Sequence, residues 1–267
     1  MLKTGRFLSE KLVVAEGGEG TAVVFVHGFP FDRTMWNASA ELISGSARVI
    51  LPDLRGFGES ETRFDGEKTA EMTDYADDIA ELLDSMRISR AVFCGLSMGG
   101  YIAMAFAAKY PEKLAGLILC DTKTAADTPE AARKRKNLAE TIHNTGTEPL
   151  LNGIGDLLAP NTLENKPETV AFVREMIRRQ RPAGIAQAAL AMANRPDTTG
   201  FLGKITVPVL VIAGENDRLS PPESMRKIAE SIPNGSFFTI PNAGHLAPLE
   251  QPERFAETVC GWMAKNF

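Results

Sequence analysis

Gly95-Leu96-Ser97-Met98-Gly99-Gly100 is the stretch from which the rest of the chain is read. It follows the apolar run Arg90-Ala91-Val92-Phe93-Cys94 and opens a long, largely apolar segment. The pattern predicts a strand, a sharp turn and a helix, with a serine at the bend. Small residues two before and two after the serine let strand and helix crowd together without a clash. The hydroxyl then stands at a helix N-terminus, where negative charge is favoured.

Outward from this bend, short apolar runs recur. Phe7–Ala15 alternates and predicts an early strand, followed by a turn at Gly17-Gly18-Glu19-Gly20. Further strands are predicted at Thr21–Val26, Arg48–Leu51, Leu117–Cys120, Val207–Ala213 and Ser236–Ile240. Continuous apolar runs separated by helical segments imply parallel strands covered on both faces. Glu71–Met86 carries apolar residues at a helical period, and Met98–Lys109 is apolar on several faces. Pro222 and Pro252 suit first-turn positions of two late helices. The interval 122–200 differs: it lacks strand runs and holds helical stretches at Pro129–His143, Pro167–Gln180 and Ala183–Ala193. It far exceeds the ~4–6 residues of a median connection. The expectation is an α/β core from 1–121 and 201–267, with 122–200 inserted as a helical cap over the strand ends.

A serine hydroxyl is a poor nucleophile until a base takes its proton. Three histidines are available. His27 closes a strand inside a glycine turn, where it orders the turn. His143 falls on a cap helix, at the surface or at a pocket rim. His245 sits in Asn242-Ala243-Gly244-His245-Leu246-Ala247-Pro248, a loop after the last strand, and is the expected base. The acid that orients it is expected at Asp217, in a turn at a strand's carboxyl end, where α/β sheets place ligands. Asp121, at another strand end, is the rival; Glu215 and Asp53 are weaker ones. An oxyanion needs two donors. The amide of Met98 is one, and the amide of Phe29, in His27-Gly28-Phe29-Pro30, is the other; Pro30 has none to give.

These motifs closely resemble those of the α/β-hydrolase family. The serine bend matches its nucleophile motif, and His27-Gly28-Phe29-Pro30 its oxyanion loop. Asp53-Leu54-Arg55-Gly56-Phe57-Gly58-Glu59-Ser60 matches its D-x-R-G-x-G-x-S segment. Gly214-Glu215-Asn216-Asp217 and Gly244-His245 match its acid and base loops. The resemblance spans the whole chain. It implies a mostly parallel sheet flanked by helices, with an inserted cap. It also implies a Ser97–His245–Asp217 triad hydrolysing small or short-chain carboxylic esters. Dehalogenases and epoxide hydrolases of this fold carry aspartate at the bend, where this chain has Ser97. Small carboxylesterases, 3-oxoadipate enol-lactonases and carbon–carbon bond hydrolases remain, and the segment Ala188–Asp197 looks like the esterase and enol-lactonase branch. Lactone hydrolysis is therefore the alternative within enzymes. A non-catalytic small-molecule receptor on the same fold is the alternative outside them. Gly28, Trp36, Leu96, Ile142, Leu157, Leu219 and Leu246 are expected around the substrate, with Leu151 and Ile154 as further cap candidates. Arg195 is read either as a partner for a substrate carboxylate or as a packing residue.

Bulk properties agree with this reading. Among 267 residues, 44% are hydrophobic and 24% charged, as in globular domains. The net charge of −5 argues against a nucleic-acid surface. No apolar stretch reaches membrane-spanning length, so no stable membrane insertion is expected. Cys94, Cys120 and Cys260 form no metal spacing and no disulfide framework, and no signal-peptide core follows the first residues. A cytoplasmic enzyme without metal or organic cofactor, acting on a small ester or lactone, is the expectation.

Overall fold

The structure, a computed structural model, describes residues 2–7, 12–62 and 69–267. Eight strands form one sheet: β1 Lys3–Phe7, β2 Leu12–Gly17, β3 Ala22–Val26, β4 Arg48–Pro52, β5 Ala91–Leu96, β6 Leu114–Cys120, β7 Val209–Gly214 and β8 Gly235–Ile240. Their order is β1-β2-β4-β3-β5-β6-β7-β8. β3 to β8 run parallel; β1 and β2 are antiparallel to each other, and β2 to β4. The single strand expected over Phe7–Ala15 is thus corrected. Its two ends belong to different, antiparallel strands, and its middle, residues 8–11, lies outside the described residues. Periodicity reports alternation, not where a chain reverses.

Eleven α-helices are described: α1 Asn37–Ile43, α2 Met72–Ser85, α3 Met98–Lys109, α4 Pro129–Thr145, α5 Ile154–Leu157, α6 Pro160–Asn165, α7 Pro167–Arg178, α8 Pro182–Ala193, α9 Pro222–Glu230, α10 Ala247–Glu250 and α11 Pro252–Asn266. The sheet explains why its strands read as unbroken apolar runs. All six residues of β5 are buried, and they alternate between two cores. Ala91 and Phe93 face α2, α3 and α9; Val92, Cys94 and Leu96 face α1 and α11. No strand forms between β6 and β7; that interval carries α4 to α8. Its helices divide between the two cores. Ile142 of α4 and Ile185 of α8 join the first, whereas Val173, Met176 and Ile177 of α7 join the second.

Candidate active site

The parallel strands deliver their carboxyl ends to one edge of the sheet. Ser97 follows β5, Asp121 follows β6, Asp217 lies three residues past β7, and His245 lies in the loop after β8. At the bend Ser97 adopts φ +54°, ψ −111°, a conformation that side chains other than glycine rarely hold. Such strain costs roughly 1–3 kcal/mol and persists only where the surroundings impose it. Here they do. Ser97 N–H donates to Cys120 O at 2.9 Å, and Thr122 Oγ1–H donates to Ser97 O at 2.7 Å. Close packing does the rest. A Cβ on Gly95 would lie 2.2 Å from Gly99 O, and one on Gly99 would lie 2.2 Å from Val26 O. Only glycine lets α3 descend this far onto β3 and β5. Ser97 occupies the N-cap position of α3, yet its side chain makes no capping hydrogen bond.

Asp217 and His245 meet directly. His245 Nδ1 and Asp217 Oδ2 are 2.9 Å apart, both side chains almost fully buried. Asp217 Oδ1 accepts from Leu219 N–H at 2.8 Å and Ser220 N–H at 3.1 Å. Burial works to raise the Asp217 carboxyl. The hydrogen bond and charge of His245, with the two amides, outweigh it and hold the group below the usual carboxylate value. The acid loop is pinned to the base loop by Asn216 N–H donating to Ala243 O at 2.8 Å. His245 N–H donates to Leu157 O at 2.8 Å, so the inserted helices also seat the histidine.

The loop after β3 presses on the serine. A Cβ on Gly28 would stand 3.4 Å from Ser97 Cβ and 2.8 Å from a Leu96 methyl. Phe31 N–H donates back to Gly28 O at 3.0 Å, turning the chain at Phe29 and Pro30. Phe29 is half-buried, and Met98 is fully buried at the first position of α3. His27 orders this turn. Its Nδ1–H donates to Gly28 O at 3.0 Å, and its Nε2 accepts from Leu54 N–H at 3.1 Å. Both nitrogens are therefore occupied in the neutral ring. Burial lowers its pKa to about 4.

Several expected pocket residues pack into the two cores. Trp36 is fully buried between Phe25 and Phe255, with ring centroids at 5.2 and 5.8 Å, and belongs to the core beneath the sheet. Ile142 is buried in the core shared with Ile185, Ala188 and Met192 of α8. Leu219 points outward, exposed, and serves Asp217 through its backbone. Leu246 packs in the second core, where half-buried Leu157 also rests; Leu151 and Ile154 are buried there. Apolarity marked all of these for burial, but burial is not pocket lining. His143 is exposed. Arg195 is a packing residue. Its guanidinium pairs with Asp127 at 2.8 Å, donates to Met192 O and Ala125 O, and stacks 4.1 Å over the Tyr101 ring. A cavity of about 560 Å³ opens beside it, lined by Tyr101, Met104, Ala191 and Arg195 among others. Ser97, Asp217 and His245 do not line it.

Motif spacing did not disclose the polar clasp around the site. Asp32 accepts both guanidinium bonds of Arg179 at 2.8 Å, and Gln180 Nε2 donates to it at 2.8 Å. Gln180 Oε1 in turn accepts from Gly58 N–H at 2.9 Å. Asp53 and Arg33 form a buried ion pair, and Glu59 joins it at 2.6 Å. Burial pushes Asp53 up to about 6 against the pull of Arg33. Glu250, buried below the base loop, accepts from Gly244 N–H at 2.8 Å and Ala159 N–H at 2.7 Å. The acidic residues in Phe31-Asp32-Arg33 and Asp53-Leu54-Arg55 were visible as charges. Their partners lie too far along the chain to be paired by eye.

Residues 21–252 match the model of the alpha/beta hydrolase fold family. The chain belongs to that family. Among solved alpha/beta hydrolases, a thermophilic esterase from Thermogutta terrifontis, determined with malate bound, is 43% identical, with a TM-score of 0.92. The match covers 99% of this chain and 98% of that one. A 3-oxoadipate enol-lactonase of Acinetobacter baylyi is 27% identical over 89% of this chain and 86% of its own length. A Bacillus subtilis relative, 28% identical over 93% of both chains, is provisionally named a 2-succinyl-6-hydroxy-2,4-cyclohexadiene-1-carboxylate synthase. Esterases and lactonases are thus among the hydrolase's relatives. Among the described residues no group of three or more potential ligands could hold a metal ion, and no helix is long and apolar enough to cross a membrane.

Proposed function

We propose that the protein is a serine carboxylic ester hydrolase acting on small or short-chain esters. Ser97 Oγ attacks the ester carbonyl while His245 takes its proton. Asp217 holds the imidazole tautomer and stabilises the imidazolium. The amides of Phe29 and Met98 receive the oxyanion. His245 then protonates the leaving alcohol and activates the water that frees the acid from Ser97. No cofactor enters these steps. The observation that carries the reading is the 2.9 Å His245–Asp217 hydrogen bond, set at the same sheet edge as a strained serine whose hydroxyl caps nothing. The esterase at 43% identity supports the substrate class.

Residues 122–200 act as the cap in this reading, setting the upper limit on acyl length by steric exclusion. A lactone is a cyclic ester and fits the same chemistry; the enol-lactonase relative favours including it. We place the enzyme in a reducing cytoplasm, on the buried free thiols Cys94 and Cys120, whose sulfurs lie 3.9 Å apart.

Ser97→Ala is expected to fold and to lose kcat by a factor on the order of 10⁴ or more on p-nitrophenyl acetate. Retention of a hundredth of the rate, or failure of the native protein to label with a serine-directed phosphonate, removes the assignment. A series from acetate to palmitate esters, run beside small lactones, tests the size limit. A kcat/KM maximum at octanoate or longer contradicts a closing cap.

A further inference from the structure

Asp121 is a buried acid that the ester chemistry leaves unused. It follows β6 at φ +45°, in the left-handed region that aspartate tolerates better than most residues, and it has no solvent exposure. Its N–H donates to Ile212 O at 2.9 Å and its Oδ1 accepts from Gly214 N–H at 2.7 Å. Both partners belong to β7, the strand that leads into the Asp217 turn. The residue is therefore wedged under the catalytic acid by its backbone and by one carboxyl oxygen.

The other oxygen, Oδ2, has no donor. The titratable groups that act on Asp121 are the Asp217 carboxyl beyond β7 and its own neighbour Cys120, a neutral buried thiol that pairs with Cys94 on β5. Neither supplies positive charge, and His245 is bonded to Asp217 instead. Gly214 links the two acids, its N–H bonding Asp121 and its O accepting from Asp217 N–H at 3.1 Å. Two buried carboxyls held this close do not both ionise, so one of them keeps a proton. Asp217 receives three donors: the amides of Leu219 and Ser220 and the ring of His245. Asp121 receives one from Gly214. Charge settles where the donors are, and the proton settles on Asp121. Burial first, and then the Asp217 charge, push the Asp121 carboxyl well above its ordinary range.

We propose that Asp121 is a positioning residue, a protonated acid whose Oδ2–H donates to the Asp217 carboxylate and tunes its hold on His245. The inference rests on the Ser97–His245–Asp217 reading. A donor on the far side of Asp217 fixes its carboxylate plane. It also draws off part of the negative charge that would otherwise hold a proton on the imidazole.

Asparagine and alanine separate this role from a structural one. In Asp121→Asn the side-chain oxygen still accepts from Gly214, and the amide N–H replaces the acid O–H. That variant is expected to keep kcat/KM within about threefold, with an unmoved pH profile, because the hydrogen bond is retained. Asp121→Ala removes the donor. Its kcat is expected to fall about tenfold or more at unchanged KM, the size of one lost hydrogen bond to a charged group. The acid limb of its kcat/KM profile should move to higher pH. Difference infrared spectra at neutral pH give a readout that needs no turnover. A protonated-carboxyl C=O band is expected in the native protein and in Ser97→Ala, and is expected to vanish in Asp121→Asn. Loss of activity in Asp121→Asn equal to that in Asp121→Ala overturns the proposal, because the charge would then be what matters. So does an infrared band indifferent to the substitution, or an alanine variant with native kcat and pH profile. If Asp121→Ala does not fold, the asparagine variant and the spectrum decide. If Ser97→Ala stays active while the band behaves as expected, the triad reading fails and the protonation of Asp121 stands.

Discussion

The bend at Ser97 and the helical segment between β6 and β7 are held by different forces. Around Ser97 the partners are mostly backbone. Thr122 bonds Ser97 O from 25 residues away, and the glycines admit α3 against β3 and β5. The inserted helices pack apolar residues into both cores and are also tied to the rest of the chain by long-range polar contacts. Arg179 reaches Asp32 across 147 residues, Gln180 reaches Gly58 across 122, and Lys166 donates to Glu250 O from 84. Apolar packing leaves the core one arrangement, because every methylene is missed when displaced. Within the clasp Asp32 and Gln180 are buried, whereas Arg179 is partly exposed and its ion pair is screened by water. In the proposed reading, the triad belongs to the close-packed half and the clasp holds the cap against it.

The largest expected effect tests the rigid half. Asp217→Asn keeps the shape of the acid but favours the wrong imidazole tautomer, so kcat should fall by a factor on the order of 10⁴ with little change in Tm. Parallel kinetics on Asp121→Asn sharpen the contrast. A reversal of their ranking would transfer the catalytic acid to β6.

His27 offers a second way to strain the same half. Its pKa falls from 6.5 to about 4 on folding, because burial disfavours the charged ring. Below the unfolded value the unfolded chain binds a proton that the folded one refuses. Stability is therefore full above about pH 6.5 and declines as pH falls toward 4, by about 3 kcal/mol in all. His27→Gln lacks this loss, while the carboxylates that also weaken in acid remain common to both proteins. Urea unfolding of the two at neutral and acid pH measures the difference. Equal acid sensitivity would refute the neutral, turn-ordering role.

The smallest expected effect falls on the clasp. Arg179→Gln should lower stability by about 1 kcal/mol or less, since the guanidinium is partly exposed and Gln180 and Thr34 still bond Asp32. The informative readout is selectivity: longer acyl esters should gain kcat/KM relative to acetate as the cap loosens. A variant with native selectivity and a large loss of Tm would show that Arg179 belongs to the rigid half after all.

Much of the candidate site was legible because its residues sit where strands end. Ser97, Asp217 and His245 each follow an apolar run, and the runs lie in the order in which a parallel sheet is wound. Local chemistry also showed that His27 orders a turn, since a histidine flanked by glycine at a strand end has backbone groups within reach. Trp36 and Ile142 were harder. An apolar residue near a catalytic loop looks the same in sequence whether it lines a pocket or fills a core, and only the neighbours brought in by Phe255 or α8 distinguish the two. The choice for Arg195 was open for the same reason until Asp127 and Tyr101 were seen to enclose it.

Sequence alone determined the α/β architecture, the serine bend and the candidate for the base, because each depends on patterns a few residues long: unbroken apolar runs, glycine spacing and residues placed at strand ends. Tertiary structure alone decided which charges meet. The Asp32–Arg179 clasp, the buried Arg33–Asp53 pair and the bond from Gly214 N–H to Asp121 join residues that lie apart in the chain. Charge interactions depend on distance in space and on the water excluded around them, and neither is encoded in local order.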